Sequence, residues 1–118
     1  MDRSGILSEV KLFKGITDNL QDDLISLIIS DSIDRILAEV NSTLNEPDEL
    51  IVELPDSMTF IVRDVAIKRY NKLNSEGATE DSEEGRSFKW EKSYLDDYRH
   101  ILANLGKSYR AKGIARFL

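Results

Sequence analysis

Apolar residues recur at steps of three and four along most of the chain, the spacing that places side chains on one side of an α-helix. The pattern predicts four helices, over about residues 6–13, 19–43, 57–74 and 94–105. Their apolar stripes can close around one core, so the sequence predicts an all-α fold, a small helical bundle. The positions that define the stripes are Ile6, Val10 and Phe13; Leu20, Leu24, Leu27, Ile28, Ile29, Ile33, Ile36, Leu37, Val40 and Leu44; Met58, Ile61, Val62, Val65, Ala66 and Leu73; and Leu95, Tyr98, Leu102 and Leu105.

Residues that commonly start or stop helices flank these segments. Gly15 and Gly106 follow the first and the last helix, at the position where glycine often terminates one. Polar residues that cap helix N-termini precede the other three. They are Thr17 or Asp18, with Gln21 completing a variant capping box, then Asp56 or Ser57, and finally Ser93.

Three stretches interrupt the helical pattern. Residues 45–55 contain both prolines of the chain and are predicted to hold a short extended piece from Leu50. Residues 75–87 combine five acids and two glycines with a single alanine, which predicts a long mobile loop because nothing there can be buried. Residues 87–92 alternate apolar and charged side chains, which predicts a strand-like segment with Phe88 and Trp90 on one side.

Composition narrows the classes of function. A chain of 118 residues suits one domain, and its formal net charge of −6 argues against a protein whose main task is to bind phosphates. The absence of cysteine excludes disulfides, thiolate metal sites and cysteine nucleophiles, and fits a reducing interior. The apolar runs are far shorter than a membrane span requires, so no membrane association is expected.

Catalytic chemistry finds no support in the residue types or their spacing. His100 is the only histidine, so no histidine cluster can bind a metal. The acid pairs at 22–23 and 96–97 are neighbours on a helix, about 100° apart, and do not converge as acid–base or two-metal sites require. We therefore expect no catalytic residue, no metal site and no cofactor, and the protein is not predicted to be an enzyme.

Charge is distributed unevenly along the chain. The last twelve residues, 107–118, carry four cations and no acid, a formal +4, which leaves −10 on the preceding 106 residues. Tyr109, Ile114, Phe117 and Leu118 stand between these cations, so the segment is either a frayed terminus or a tail that orders on a partner. The sequence thus predicts a helical domain over 1–106 and a basic, apolar tail over 107–118 that is ordered only on a partner.

The order of these features resembles a known family. The features are Gly15-Ile-Thr-Asp before the long central helix, Arg69-Tyr-Asn-Lys-Leu and then Ser75-Glu-Gly at the end of the next, and an acidic loop leading to the aromatic alternation. Over about residues 6–105 the chain resembles the head-tail connector proteins of tailed bacteriophages, also called adaptor or head-completion proteins. The stretch from 45 to 55 is longer than in the family pattern.

The resemblance implies a structural protein of the virion neck, at the head–tail interface, that is assembled in the cytoplasm of the bacterial host. Such adaptors dock as a ring, a dodecamer in the virion, beneath the portal protein. They extend the DNA channel and join the head to a stopper or tail-completion protein. DNA would pass through the lumen without specific binding, since a wall rich in carboxylates repels phosphate.

Two groups of residues are candidates for contacts in such an assembly. Phe88 and Trp90 either cover the core of their own domain or pack against a neighbouring subunit. The predicted portal-binding residues are Tyr109, Arg110, Ile114, Arg116 and Phe117, and the predicted inter-subunit residues are Glu76, Gly77, Gly85, Phe88 and Trp90. The alternative is a small cytosolic regulatory protein that binds DNA or an acidic partner through its basic tail, with an affinity that falls steeply with salt.

Overall fold

Four α-helices and two short 3₁₀ segments form the part of the chain that the structure describes. The computed structural model describes residues 1–42, 50–76 and 90–116, and the side chains of 1–42, 50–74 and 90–107. The all-α prediction is confirmed, and none of these residues lies in a β-strand. The helices are α1 (Arg3–Lys14), α2 (Asp22–Asn41), α3 (Thr59–Glu76) and α4 (Arg99–Arg116), and the 3₁₀ segments are Asp56–Met58 and Lys92–Tyr98.

The core lies mainly between α2 and α3. These two helices pack along each other, α1 packs against both, and α4 packs against α2 while the second 3₁₀ segment covers α3. Tyr94, Leu95 and Leu102 close the core on the α4 side. The buried apolar side chains of α2 are Ile25, Ile28, Ile29, Ile33, Ile36 and Val40, and those of α3 are Ile61, Val62, Val65, Ala66 and Tyr70.

Helix α1 has a defined cap at each end. The Asp2 side chain accepts a hydrogen bond from the Gly5 N–H at 3.0 Å, so the helix begins before the predicted residue 6. The carboxylate is favoured there, and this bond is the main reason why the pKa of Asp2 is lowered. Gly15 ends the helix as predicted, with φ of 69°, and backbone bonds from Gly15 to Leu12 and from Ile16 to Lys11 close a Schellman turn.

The predicted start of the central helix at residue 19 is wrong. The Asp18 side chain accepts the Leu20 N–H at 3.0 Å and forms a local turn there instead of capping the helix. Helix α2 begins at Asp22, and its N-cap residue, Gln21, makes no capping bond through its side chain. Asp22 and Asp23 lie in the first turn, where the helix dipole favours negative charge.

Several apolar residues assigned to the buried stripes face solvent instead. Leu20 is 88% exposed because it precedes the helix, so the periodicity of α2 does not apply to it. Leu27 is 55% exposed because it lies about 200° around the helix from the buried Ile25. Phe13, at the end of α1, is 66% exposed. The prediction grouped these residues with the core, but the observed start of α2 excludes Leu20, and the helical angle places Leu27 opposite the buried side.

The last helix differs from its prediction at both ends. Residues 92–98 form a 3₁₀ segment, which starts after Glu91 and not at a Ser93 cap, and α4 begins only at Arg99. Leu95 enters the core from this segment, and Tyr98, three residues later and on the same side of the 3₁₀ turn, contacts α3. Gly106 does not end the helix, which continues to Arg116. A glycine inside a helix costs only about 1 kcal/mol, and the residues that follow it contain good helix formers and no proline.

The predicted acidic loop and strand-like segment fall mostly outside the described residues. Residues 75–76 belong to α3, so any loop starts later than predicted, and residues 77–89 lie outside the described part. Of the strand-like segment, Glu91 has extended backbone angles, whereas Lys92 already belongs to the 3₁₀ segment. The division into a 1–106 domain and a 107–118 tail stays a prediction.

Candidate interaction surfaces

The predicted portal-binding residues follow the core-packing part of α4. The backbone positions of Tyr109, Arg110, Ile114 and Arg116 lie in the last turns of this helix, and Phe117 lies outside the described residues. Leu102 is buried and Leu105 packs against the core, so the bundle holds the helix one turn before the basic segment begins. The basic segment is therefore joined to the bundle without a break in the helix.

Three hydrogen bonds from Arg99 join the start of α4 to the rest of the bundle. Arg99 donates from Nη1 to Glu39 Oε1 on α2 at 2.7 Å and from Nη2 to the Lys92 carbonyl at 2.8 Å. Its Nε also donates to Asp96 at 3.2 Å, and these hydrogen bonds raise the pKa of Arg99. A cavity of about 210 Å³ lies beside this pair, between Val40 and Leu102. Because the guanidinium already has three acceptors, the cavity offers no unpaired charge to a small anion.

Only one of the predicted inter-subunit residues has a described side chain. Glu76 is the last residue of α3, while Gly77, Gly85 and Phe88 lie outside the described part. Trp90 is half-buried against the core of its own chain and meets the Tyr94 ring edge-on, with centroids 5.4 Å apart. Of the two alternatives for Trp90, packing within its own domain is the one seen, and a contact with a neighbouring subunit stays a prediction.

A buried arginine lies beneath this tryptophan. Its position, three and four residues after the buried Ala66 and Val65, follows the apolar stripe of α3, but its charge made it read as exposed. Arg69 is 4% exposed. Its Nη1 donates to Ser32 Oγ at 3.0 Å, and its Nη2 lies 2.9 Å from Asp31 Oδ2, both on α2. The guanidinium carbon is 5.4 Å from the centroid of the Trp90 ring. Arg69 thus connects α2, α3 and the segment that leads into α4.

Two further contacts surround Arg69 on α3. Tyr70 is also buried, and its hydroxyl lies 3.2 Å from Gln21 Oε1, just before α2. Lys72 forms an ion pair with Glu91, the residue after Trp90. The resemblance to the connector family rested partly on the sequence that contains Arg69, Tyr70 and Lys72. That sequence marked this part of α3 as characteristic of the family, but it did not indicate which of the three side chains are buried.

On the outer side of α3, Arg63 lies next to an aromatic ring and pairs with two carboxylates. Arg63 lies 5.2 Å from the centre of the exposed Phe13 ring and pairs with Glu9 at 3.0 Å and Asp64 at 3.2 Å. Burial acts to lower the pKa of Arg63, but the hydrogen bonds to the two carboxylates outweigh it and the pKa is raised. Charges on this surface are largely compensated within the chain, an arrangement that suits contact with protein more than with nucleic acid.

Tyr98 completes this surface from the second 3₁₀ segment. Its hydroxyl donates to Asp64 Oδ2 at 2.9 Å, and its ring meets the Phe60 ring edge-on at 6.1 Å. Burial of the phenol, together with the Asp64 carboxylate, raises the pKa of Tyr98 to about 12. The shift stabilises the neutral, hydrogen-bonded form, so Tyr98 is a structural contact here and not a proton donor at neutral pH.

The described residues show no arrangement for metal binding and no helix able to cross a membrane. No group of three or more histidine, aspartate or glutamate side chains in that part of the chain is placed to hold a metal ion. His100 lies on the exposed side of α4, with Asn104 at 3.4 Å as its polar neighbour. None of the described helices is both long and apolar enough to span a bilayer.

The fold defines a small all-α protein, and comparison with known families identifies the family to which it belongs. The family model of the phage gp6-like head-tail connector proteins matches residues 6–105. The chain belongs to this family, and its role is structural, at the head–tail junction of the virion. No curated protein and no solved structure matches the chain.

Proposed function

We propose that this chain is an adaptor that docks as a ring beneath the portal protein and joins the head to the stopper or tail-completion protein. The ring would extend the DNA channel, and a dodecamer would match the arrangement implied for such adaptors. Membership of the connector family supports the neck role, and the chemistry of the surfaces supports contact with protein. The proposal requires neither catalysis nor a cofactor.

The observation that carries portal docking is the uninterrupted course of α4. The helix begins on the core and continues through Arg116, eleven residues beyond Leu105. At 1.5 Å per residue, this stretch spans about 16 Å. It bears all four cations of the +4 segment, so the bundle would present a basic helix to an acidic site on the portal. The residues proposed to make that contact are Tyr109, Arg110, Ile114, Arg116 and Phe117.

Contacts between neighbouring subunits are proposed for the region after α3. Glu76 and Trp90 mark its two ends in the described structure, and Gly77, Gly85 and Phe88 lie between them in the sequence. Trp90 retains a partly exposed edge that a neighbour can cover. In such a ring, acids of the −10 body would line the lumen and repel the DNA backbone as it passes.

The test is co-elution with the portal protein encoded in the same genome, with the mass measured by light scattering after size exclusion. The variant is R110E/R116E in the basic part of α4. Its matched control is K14E/K92E, which reverses two exposed cations on the body of the protein. We expect the wild type and the control to co-elute with the portal at the mass of a ring on a ring, and R110E/R116E to elute separately.

The same variants separate the adaptor from the alternative function. A regulator that binds DNA through its tail would lose affinity steeply with salt, and R110E/R116E would abolish the binding. An adaptor would show little affinity for DNA at any salt concentration. Co-elution that is equally strong in R110E/R116E would contradict docking through α4, and steep, salt-dependent DNA binding without portal association would favour the regulator.

A further inference from the structure

We infer that Arg69 is a positioning residue, whose task is to hold Trp90 and thereby fix the place where the chain returns to the bundle after residue 89. The inference rests on the proposed function where it concerns assembly, since the inter-subunit residues proposed above lie just before Trp90. Within the protomer it rests on the contacts of Arg69 alone.

Among the described residues, the contacts of Arg69 point in two directions. Its Nη atoms face α2, where they meet Ser32 at 3.0 Å and Asp31 at 2.9 Å. The guanidinium carbon lies over the Trp90 ring, 5.4 Å from its centroid. A planar guanidinium can form hydrogen bonds in its plane and stack on an aromatic ring at the same time, which neither lysine nor methionine can do. The residue type therefore fits a link between α2 and Trp90.

Stability alone does not account for an arginine at this site. Removing a charged group from water is costly, and well-packed apolar side chains of similar volume often replace buried ion pairs without loss of stability. At 4% exposure Arg69 is as buried as the isoleucines around it. What an apolar residue could not supply is the fixed orientation of Trp90 relative to α2.

The chain also leaves and rejoins the described structure at the same end of α3. Glu91 pairs with Lys72, and the helix ends at Glu76, four residues after Lys72. Positions 69, 72 and 76 follow the i, i+3, i+7 spacing and lie along one side of the helix. The attachment of Trp90 and Glu91 to this side fixes the point at which the described chain resumes, beside the last turns of α3.

The test uses Trp90 as its own reporter, because it is the only tryptophan of the chain. R69M removes both the positive charge and the planar guanidinium group. R69K keeps a cation near Asp31 but lacks the planar group, and it replaces R69M in the test if R69M does not fold. The matched control is R63M, on the same helix, which likewise removes a guanidinium that lies over an aromatic ring. Arg63 pairs with two carboxylates, whereas Arg69 bonds one carboxylate and one hydroxyl. Far-ultraviolet circular dichroism verifies that each variant is folded.

We expect folded R69M and R69K to shift the Trp90 emission to longer wavelength and to make it more accessible to acrylamide, with R63M unchanged. Unaltered emission and quenching in a folded Arg69 variant would overturn the inference, as would an equal change in R63M. Loss of portal co-elution in R69K, but not in R63M, would support the role in assembly. If R69K co-elutes with the portal as the wild type does although its Trp90 has become more exposed, Arg69 has no role in assembly and the adaptor function is unaffected. If the wild type itself does not bind the portal, the adaptor function is overturned instead.

Discussion

The side-chain amide of Asn41 bonds both backbone groups of Ile51, ten residues further along the chain. Asn41 Oδ1 accepts the Ile51 N–H at 2.8 Å, and Asn41 Nδ2 donates to the Ile51 carbonyl at 3.0 Å. The last residue of α2 thereby holds the segment before α3 as a neighbouring strand would hold it. Ile51 and Leu54 enter the core as a result, at 5% and 1% exposure.

Loss of this amide should destabilise the bundle by a measurable amount. N41A leaves a partly buried N–H and C=O without their partner, which costs about 1–3 kcal/mol. Urea unfolding followed by circular dichroism measures the difference. The control is N71A, at an exposed position on α3, which should stay within about 0.5 kcal/mol of wild type. Equal stability of the two variants would show that the segment is held by burial of its apolar side chains alone.

Two apolar positions on α2 should respond very differently to truncation. Ile36 is fully buried and Leu27 is 55% exposed. I36A removes core contacts and leaves a cavity, which costs about 2–5 kcal/mol. L27A removes little buried area and should change the free energy of unfolding by less than about 0.5 kcal/mol. A large loss in L27A, at concentrations where the protein is monomeric, would contradict the exposed position of Leu27.

Gly15 should tolerate asparagine better than alanine. Its φ of 69° lies in the left-handed region, and a Cβ added there would meet no atom within 4 Å, so any penalty is conformational and not steric. G15A should lower the stability by about 1 kcal/mol, and G15N by less, because asparagine adopts this conformation more readily. Thermal unfolding of both variants measures the order, and a G15A as stable as wild type would mean that the turn after α1 relaxes freely.

Alkaline pH should weaken the protein through Tyr98. The folded state raises the pKa of this phenol to about 12 from an ordinary value of 10, so the neutral form is favoured on folding. The stabilisation is fully present below pH 10 and is lost as the pH rises from 10 to 12; its upper limit is ~2–3 kcal/mol.

The measurement for Tyr98 compares wild type with Y98F across this window. At neutral pH, Y98F should be less stable by about 1 kcal/mol, since the bond to Asp64 is lost. Between pH 10 and 12 the difference should shrink, and at the full loss it should reverse in favour of Y98F, because only the wild type carries this titrating group. A difference that stays constant with pH would contradict the raised pKa.

Much of the fold could be predicted from local patterns in the sequence. The spacing of isoleucine and valine along residues 28–40 and 61–66 identified the two central helices, because one-sided burial imposes the helical period, although the predicted stripe missed the buried Ile25. Gly15 was recognised as a helix end because its conformation is a local property. The order of elements also indicated the connector family that the comparison confirmed.

The ends of helices and the exposure of single residues could not be read in the same way. Gly106 and Ser93 look like a helix stop and a helix cap, yet the last helix begins at Arg99 and passes through Gly106. Propensity at one residue is worth about 1 kcal/mol or less, and packing against the rest of the chain outweighs it. Leu27 is as apolar as its buried neighbours, but it lies on the opposite side of α2, and which side faces the core depends on where the other helices pack.

The candidate site was predicted in part. The basic composition of residues 107–116 is a property of the sequence, but its attachment to the core without a break depends on the course of α4. The burial of Arg69 could not be predicted, because a charged side chain at a helical position normally reads as exposed. Its burial depends on Asp31 and Ser32 from α2 and on Trp90, none of which is near it in the chain.

By itself, then, the sequence determined the helical class, the central helices, the charge asymmetry and the family, since these follow from periodicity, composition and the order of elements. Only the tertiary structure decided which side chains meet: Asn41 with Ile51, Tyr98 with Asp64, and Arg69 with Trp90. Contacts between residues distant in the chain depend on how the helices pack against one another. The packing energy depends on all side chains of the core together, so no local sequence pattern determines it.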